Sequence, residues 1–170
     1  RYNLKEMSKT LIFLQENKIG NIEEMQERVN AATARYHELG DSIKAAEQRM
    51  AEIAVLRAHI INYAKTRPVY DAYRKAGYSK KYYDAHESDI IIHKAAKKAF
   101  DELALKKLPT VKSLQAEYSD LLVQKKLDYA ALAKAREEAR QLQIYKANAE
   151  MLLRTDADEQ RQTREHQQEK

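Results

Sequence analysis

The chain has no cysteine, no tryptophan, two prolines and three glycines in 170 residues. Without cysteine there is no disulfide framework and no thiolate metal site, and a reducing, cytoplasmic setting is the expectation. So little glycine and proline leaves almost no material for the turns of a sheet, barrel or sandwich, so few, long elements are expected. The longest apolar runs, such as Ile90 to Ile92, fall far short of the roughly 20 residues that span a bilayer. Arg1 and Tyr2 do not open a signal peptide, so a soluble chain without membrane insertion is expected. No nucleophile elbow, phosphate loop or metal-ligand motif is present, which argues against an autonomous enzyme and against a cofactor. The first residue is not a methionine and lies close to a helix start, which reads as a fragment of a longer protein.

What the chain has in quantity is Ala, Leu, Glu, Lys, Gln and Arg, the composition of helices with charged outer faces. The fold class read from it is all-α. Asn3 with Glu6 and Asn21 with Glu24 have capping-box spacing and mark two helix starts. A short amphipathic helix is expected over Leu4 to Glu16, with Leu4, Met7, Leu11, Ile12 and Leu14 on its apolar side and Gly20 ending the segment. From Ile22 a 3-4 spacing runs through Met25, Val29, Ala32, Tyr36, Leu39, Ile43, Ala46, Met50, Ile53, Arg57, Ile60 and Ala64, apolar except at Arg57. Gly40 is expected to disturb this helix only locally, with recapping at Asp41 or Ser42 as the alternative. After Pro109, with Thr110 as cap, a second such run reads Val111, Leu114, Tyr118, Leu121, Lys125, Asp128, Leu132, Ala135, Ala139, Leu142, Lys146, Ala149 and Leu153. Two matched heptad segments around a compact insert predict a long antiparallel coiled-coil hairpin with the insert at its tip. The expected divisions are a short N-terminal helix (1–20), a first stalk helix (21–66), a basic head (67–109), a second stalk helix (110–155) and a polar tail (156–170), read as a frayed end or linker.

The charge of the chain is focused. Lys65 to Lys107 contains eleven Lys and Arg against six Asp and Glu, and the remainder has twenty of each. Tyr70, Tyr73, Tyr78, Tyr82 and Tyr83 crowd into the same stretch, with Tyr63 just before it. Three short helices are expected here. Pro68 opens one that ends at Gly77, Ser79 caps a second from Lys80, and a third covers about Ser88 to Leu103 with Ile91, Ala95, Ala99 and Leu103 on one stripe. Lys and Arg attract phosphates through counterion release, and Tyr stacks on unpaired bases. The candidate nucleic-acid contacts are Lys65, Arg67, Arg74, Lys75, Tyr78, Lys80, Lys81, Tyr82, Tyr83, Lys94, Lys97, Lys98, Lys106 and Lys107. Tyrosines at helical spacing are also the ordinary packing residues of half-buried helix faces, and both readings stand at this level.

Other constellations favour plainer readings. His86, Asp89 and His93 share a face only if the helix is continuous across Glu87 and Ser88, and Asp89 suits a helix N-terminus, so packing or surface roles outweigh a metal site. Arg57, the one charge in the first seam, is expected to snorkel to Glu117 on the returning helix.

The stretch AEIAVLRAHIINYAKTRPVYDAYRKAGYSKKYYDAHESDIIIHKAAKKAFDEL, followed by LPTVKSLQAEYSDLL, resembles the C-terminal region of relaxase/mobilisation proteins from integrative conjugative elements of Gram-positive bacteria. The similarity extends over most of Leu4 to Leu153, and AGYSKK and HKAAKKAF are its most specific runs. The resemblance implies a parent protein that nicks one DNA strand with a catalytic tyrosine and a histidine-bound metal, then accompanies the strand through a secretion channel. In such families the nuclease domain precedes this region. The three-histidine motif is absent here, since His37, His59, His86, His93 and His166 are scattered, so none of Tyr78, Tyr82 or Tyr83 is assigned as a nucleophile. The resemblance therefore implies a non-catalytic module that contacts DNA or docks on a coupling protein of the transfer machinery. A protein-interaction scaffold without DNA binding is the rival, with its seam closed on itself or on a second copy in a homodimer. A weaker likeness of AGYSKK to turns of small phage packaging subunits implies a helix-turn-helix regulator.

Overall fold

A computed structural model describes residues 3–168, with side-chain surroundings described through residue 164. Four helices account for nearly all of them: α1 (Leu4–Glu16), α2 (Ile22–Lys75), α3 (Lys80–Glu102) and α4 (Val111–Gln168). There is no strand among the described residues, and no helix there is long and apolar enough to cross a membrane. The chain divides into two compact units, one of residues 1–42 with 127–170 and the other of residues 43–126.

In the first unit α1 packs on the start of α2 and the later part of α4. Asn3 makes no side-chain cap, and Glu6 pairs with Lys9 at 2.9 Å, so the capping box expected there does not form. The helix ends in a Schellman-type turn in which Lys18 adopts φ 55° and the Ile19 amide donates to the Leu14 carbonyl at 2.9 Å. Gly20 is thus not the terminator. Its amide donates to Glu24 Oε2 at 2.7 Å while the Glu24 amide donates to Asn21 Oδ1 at 2.8 Å, which realises the second capping box one residue back. Leu4, Leu11 and Ile12 lie on the solvent side, whereas fully buried Thr10 and half-buried Phe13 and Leu14 face the unit. Thr10 explains this rotation, because its hydroxyl donates to the Glu6 carbonyl and accepts from Asn148 Nδ2 on α4 at 3.0 Å. Phe13 stacks on Tyr145 at 4.4 Å. Met25, Val29 and Leu142 form the core beside them, and Ser42 donates to Asp128 at 2.8 Å. Met25 meets Leu142 and Ser42 meets Asp128, so α2 and α4 run in opposite directions here. The polar tail, expected as a frayed end or linker, is helical as far as it is described, with α4 continuing to Gln168 through residues of good helix propensity such as Ala157, Glu159, Gln160 and Arg161.

In the second unit α2 and α4 again run in opposite directions, with Glu47 pairing to Lys125 at 2.9 Å and Arg49 gripping Glu117. Ile53, Leu56 and Leu114 form the core, with Ile60, Phe100 and Leu121 against it. The expected seam holds on α2 through Ile53 and then slips: Leu56 is buried, while Arg57 and Ala64 are exposed. The cause is the length of the partner. Leu114 sits beside Ile53 and Leu56 in the first turn of α4, so little of α4 remains to face positions beyond them. Arg49 takes Glu117 in place of Arg57, through a fork of Nε to Oε1 at 2.7 Å and Nη2 to Oε2 at 3.1 Å. That fork holds the Glu117 carboxyl below the usual carboxylate range and raises the Arg49 guanidinium above its own.

Beyond Leu56, α2 changes partner and pairs with α3. Pro68 opens no new helix. It lies inside α2, so the first of the three expected short helices is the end of α2, while the expected break between the second and third falls at the kink of α3 at His86 (φ −131°, ψ 23°). Ala64 and Pro68 are both exposed, which leaves the carbonyl deprived of its helical donor on the solvent side. α3 also turns differently from expectation. Its buried stripe is Ile90, His93 and Ala96, with Phe100 half-buried, while Ile91 and Leu103 are about half exposed. Aromatic mass decides the rotation, since His93 and Phe100 both lie on the inward stripe and both contact rings of α2.

Candidate functional site

The turn between α2 and α3 is built by backbone hydrogen bonds that the sequence favours. The Gly77 amide donates to the Arg74 carbonyl at 3.1 Å and the Tyr78 amide to the Tyr73 carbonyl at 3.0 Å, the paired bonds of a Schellman motif. Gly77 has φ 62°, as its place after the helix predicts, and the accompanying contact is Tyr78 edge-on to Tyr73 at 5.2 Å. Ser79 then caps α3, its hydroxyl accepting from the Tyr82 amide at 3.4 Å. α3 returns along α2 for its whole length, from Tyr82 and Tyr83 against Tyr73 to Phe100 against Tyr63 and His59. This is an αα-hairpin, not the crossed pair of a helix-turn-helix.

Inside it, His93 (3% exposed) lies between the rings of Tyr63 and Tyr70, parallel to both within about 20° at centroid distances of 4.4 Å. Its Nδ1 is 3.0 Å from the Thr66 hydroxyl, which donates to the Asn62 carbonyl at 2.7 Å and is equally buried. A hydroxyl against an imidazole is the geometry of an activated nucleophile, but at 3% exposure each, these two groups leave no room for a substrate, and their role is packing. Burial holds the His93 imidazole below its ordinary value, against the opposing pull of Asp71. His86 is turned toward Tyr82 at 4.3 Å, and no group of three His, Asp or Glu able to hold a metal occurs among the described residues. The Tyr63–Thr66–His93–Tyr70 stack was not foreseen from sequence. Its signal is the spacing of His59, Tyr63, Thr66, Tyr70 and Tyr73 on one face of α2.

The candidate contacts separate into two kinds. All eleven cations are exposed: Lys65, Arg67, Arg74 and Lys75 at the end of α2, Lys80, Lys81, Lys94, Lys97 and Lys98 on α3, and Lys106 and Lys107 in the segment before α4. Arg67 and Arg74 lie 3.8 and 3.7 Å from Asp71, and Lys98 lies 3.8 Å from Glu102. No other of the eleven is ion-paired among the described residues. The tyrosines differ. Tyr82 and Tyr83 are half-buried against Tyr73 as packing residues, and Tyr78 alone of the three is exposed. Chemically the arrangement offers many unneutralised point charges to phosphate and few ring faces to bases. No protein-family model, curated protein or solved structure matches this chain.

Proposed function

We propose that the chain is a non-catalytic helical module that contacts DNA through its basic α2–α3 hairpin, in the setting of conjugative transfer that the resemblance to relaxase C-terminal regions implies. The observation that carries the reading is that all eleven cations are exposed in a stretch where only three have a carboxylate close by. The long antiparallel hairpin of α2 and α4 belongs to the same reading and is supported by their opposite directions within each unit.

Each phosphate neutralised releases counterions, so affinity should fall steeply with salt, with a log–log slope of roughly −0.7 to −0.9 per contact. Fluorescence anisotropy with labelled DNA at low and moderate salt is the test. Lys80→Glu with Lys81→Glu should weaken binding and flatten the slope by about two contacts. Absence of binding at low salt defeats the proposal.

A second reading is docking onto a protein of the transfer machinery, favoured by the neighbouring exposed side chains of Ile91 (51%) and Ile92 (36%) on α3. Capture of a coupling protein that survives moderate salt and fails with Ile91→Glu would support it.

A further inference from the structure

Among the tyrosines around the α2–α3 turn, Tyr78 is set apart by its backbone. It has φ 60°, in the left-handed region that bulky L residues rarely adopt, directly after Gly77, which occupies that region without strain. The hydrogen bonds of the turn use only the backbone of Tyr73, Arg74, Gly77 and Tyr78, and the ring adds to them one edge-on contact with Tyr73. Strain of this kind persists where surrounding structure or function demands it. The ring is 55% exposed, and its hydroxyl has no hydrogen bond among the described residues. Its contact with Tyr73, at an interplanar angle of 85°, covers at most one face of either ring. Tyr63 and Tyr70 are closed on His93, and Tyr82 and Tyr83 lie against Tyr73. Arg74 and Lys75 precede Tyr78 and Lys80 and Lys81 follow it, all exposed.

We propose that Tyr78 is a stacking platform for an unpaired nucleobase, with Arg74, Lys75, Lys80 and Lys81 taking the flanking phosphates, so that the ligand of the turn is single-stranded DNA. This rests on the DNA-contact reading above and narrows it. Every base has a π-face, so such a platform distinguishes strands that carry bases from strands that do not, with little regard to sequence.

The test compares labelled oligothymidylate with an abasic phosphodiester strand of the same length, using the whole chain. The wild type should prefer the strand with bases by about 5- to 100-fold. Tyr78→Phe should keep the preference. Tyr78→Leu and Tyr78→Gly should abolish it while binding the abasic strand as the wild type does, and Tyr78→Gly should unfold at the same or a higher temperature because glycine relieves the backbone. Salt-sensitive binding of both strands with no preference in the wild type, or a preference that survives Tyr78→Leu, overturns the platform and leaves the DNA-contact reading intact. Binding of neither strand overturns both.

Discussion

His93 holds an ionisable ring where burial disfavours its charge, and the acid sensitivity of the second unit follows from that placement. Burial is the largest influence and lowers the folded value, Asp71 and the Tyr63 backbone of α2 oppose it, and Arg67 of α2 and Lys97 of its own helix add to it. A histidine with a lowered folded value binds its proton more readily when unfolded, so its neutral form supports the fold fully above about pH 6.5, and that support is lost as pH falls through the folded value. Thermal unfolding followed at about pH 7 and about pH 5 should show a loss of stability on acidification that shrinks in His93→Phe, which retains a ring between Tyr63 and Tyr70. An unchanged difference between the two pH values would place the acid sensitivity elsewhere.

At the scale of the element, α2 tolerates a proline seven residues before its end. Pro68 removes one i to i−4 hydrogen bond, and a proline in a helix interior costs about 3 kcal/mol relative to alanine, partly offset by the restraint it puts on the unfolded chain. Pro68→Ala should therefore raise stability by about 1–2 kcal/mol, read as a higher denaturant midpoint with an unchanged slope. Element existence was readable in the sequence wherever local chemistry decides it. The bounds of α1, the Asn21, Ser79 and Thr110 caps, the left-handed Gly77 and the α4 seam at Leu114 and from Leu121 to Ala149 appear as expected, whereas the seam position Tyr118 is exposed. The inward faces of α1 and α3 were not readable, because they are chosen by partners distant in sequence: Asn148 for Thr10, and Tyr63 with Tyr70 for His93. The place of proline in helix first turns made Pro68 a helix start, whereas the ring packing of Tyr63 and Tyr70 against α3 on both sides of it accompanies a continuous α2. At the site, the cations were legible because exposure is the default for Lys and Arg, while the division of the tyrosines into packed and free rings depends on tertiary contact.

Over the whole molecule, the net charge of +5 is balanced away everywhere except Lys65 to Lys107, which lies inside the second unit. Place and total charge can therefore be separated. Lys134→Glu with Arg136→Glu, two exposed cations of the first unit, alters net charge as much as Lys80→Glu with Lys81→Glu does. If DNA contact is local to the α2–α3 hairpin, the first pair should change affinity by less than about 2-fold at moderate salt, and the second pair should weaken it far more. Equal losses in anisotropy titrations would show a general attraction of a basic protein.

Within the second unit, α2 carries two tracks in succession, one ending at Leu56 against Leu114 and one running from His59 to Tyr73 against α3. Each residue advances a helix by about 100°, so the compass bearing of the basic turn around the axis of α2 is a matter of counting: the residues between the two tracks set it, and no loop is consulted.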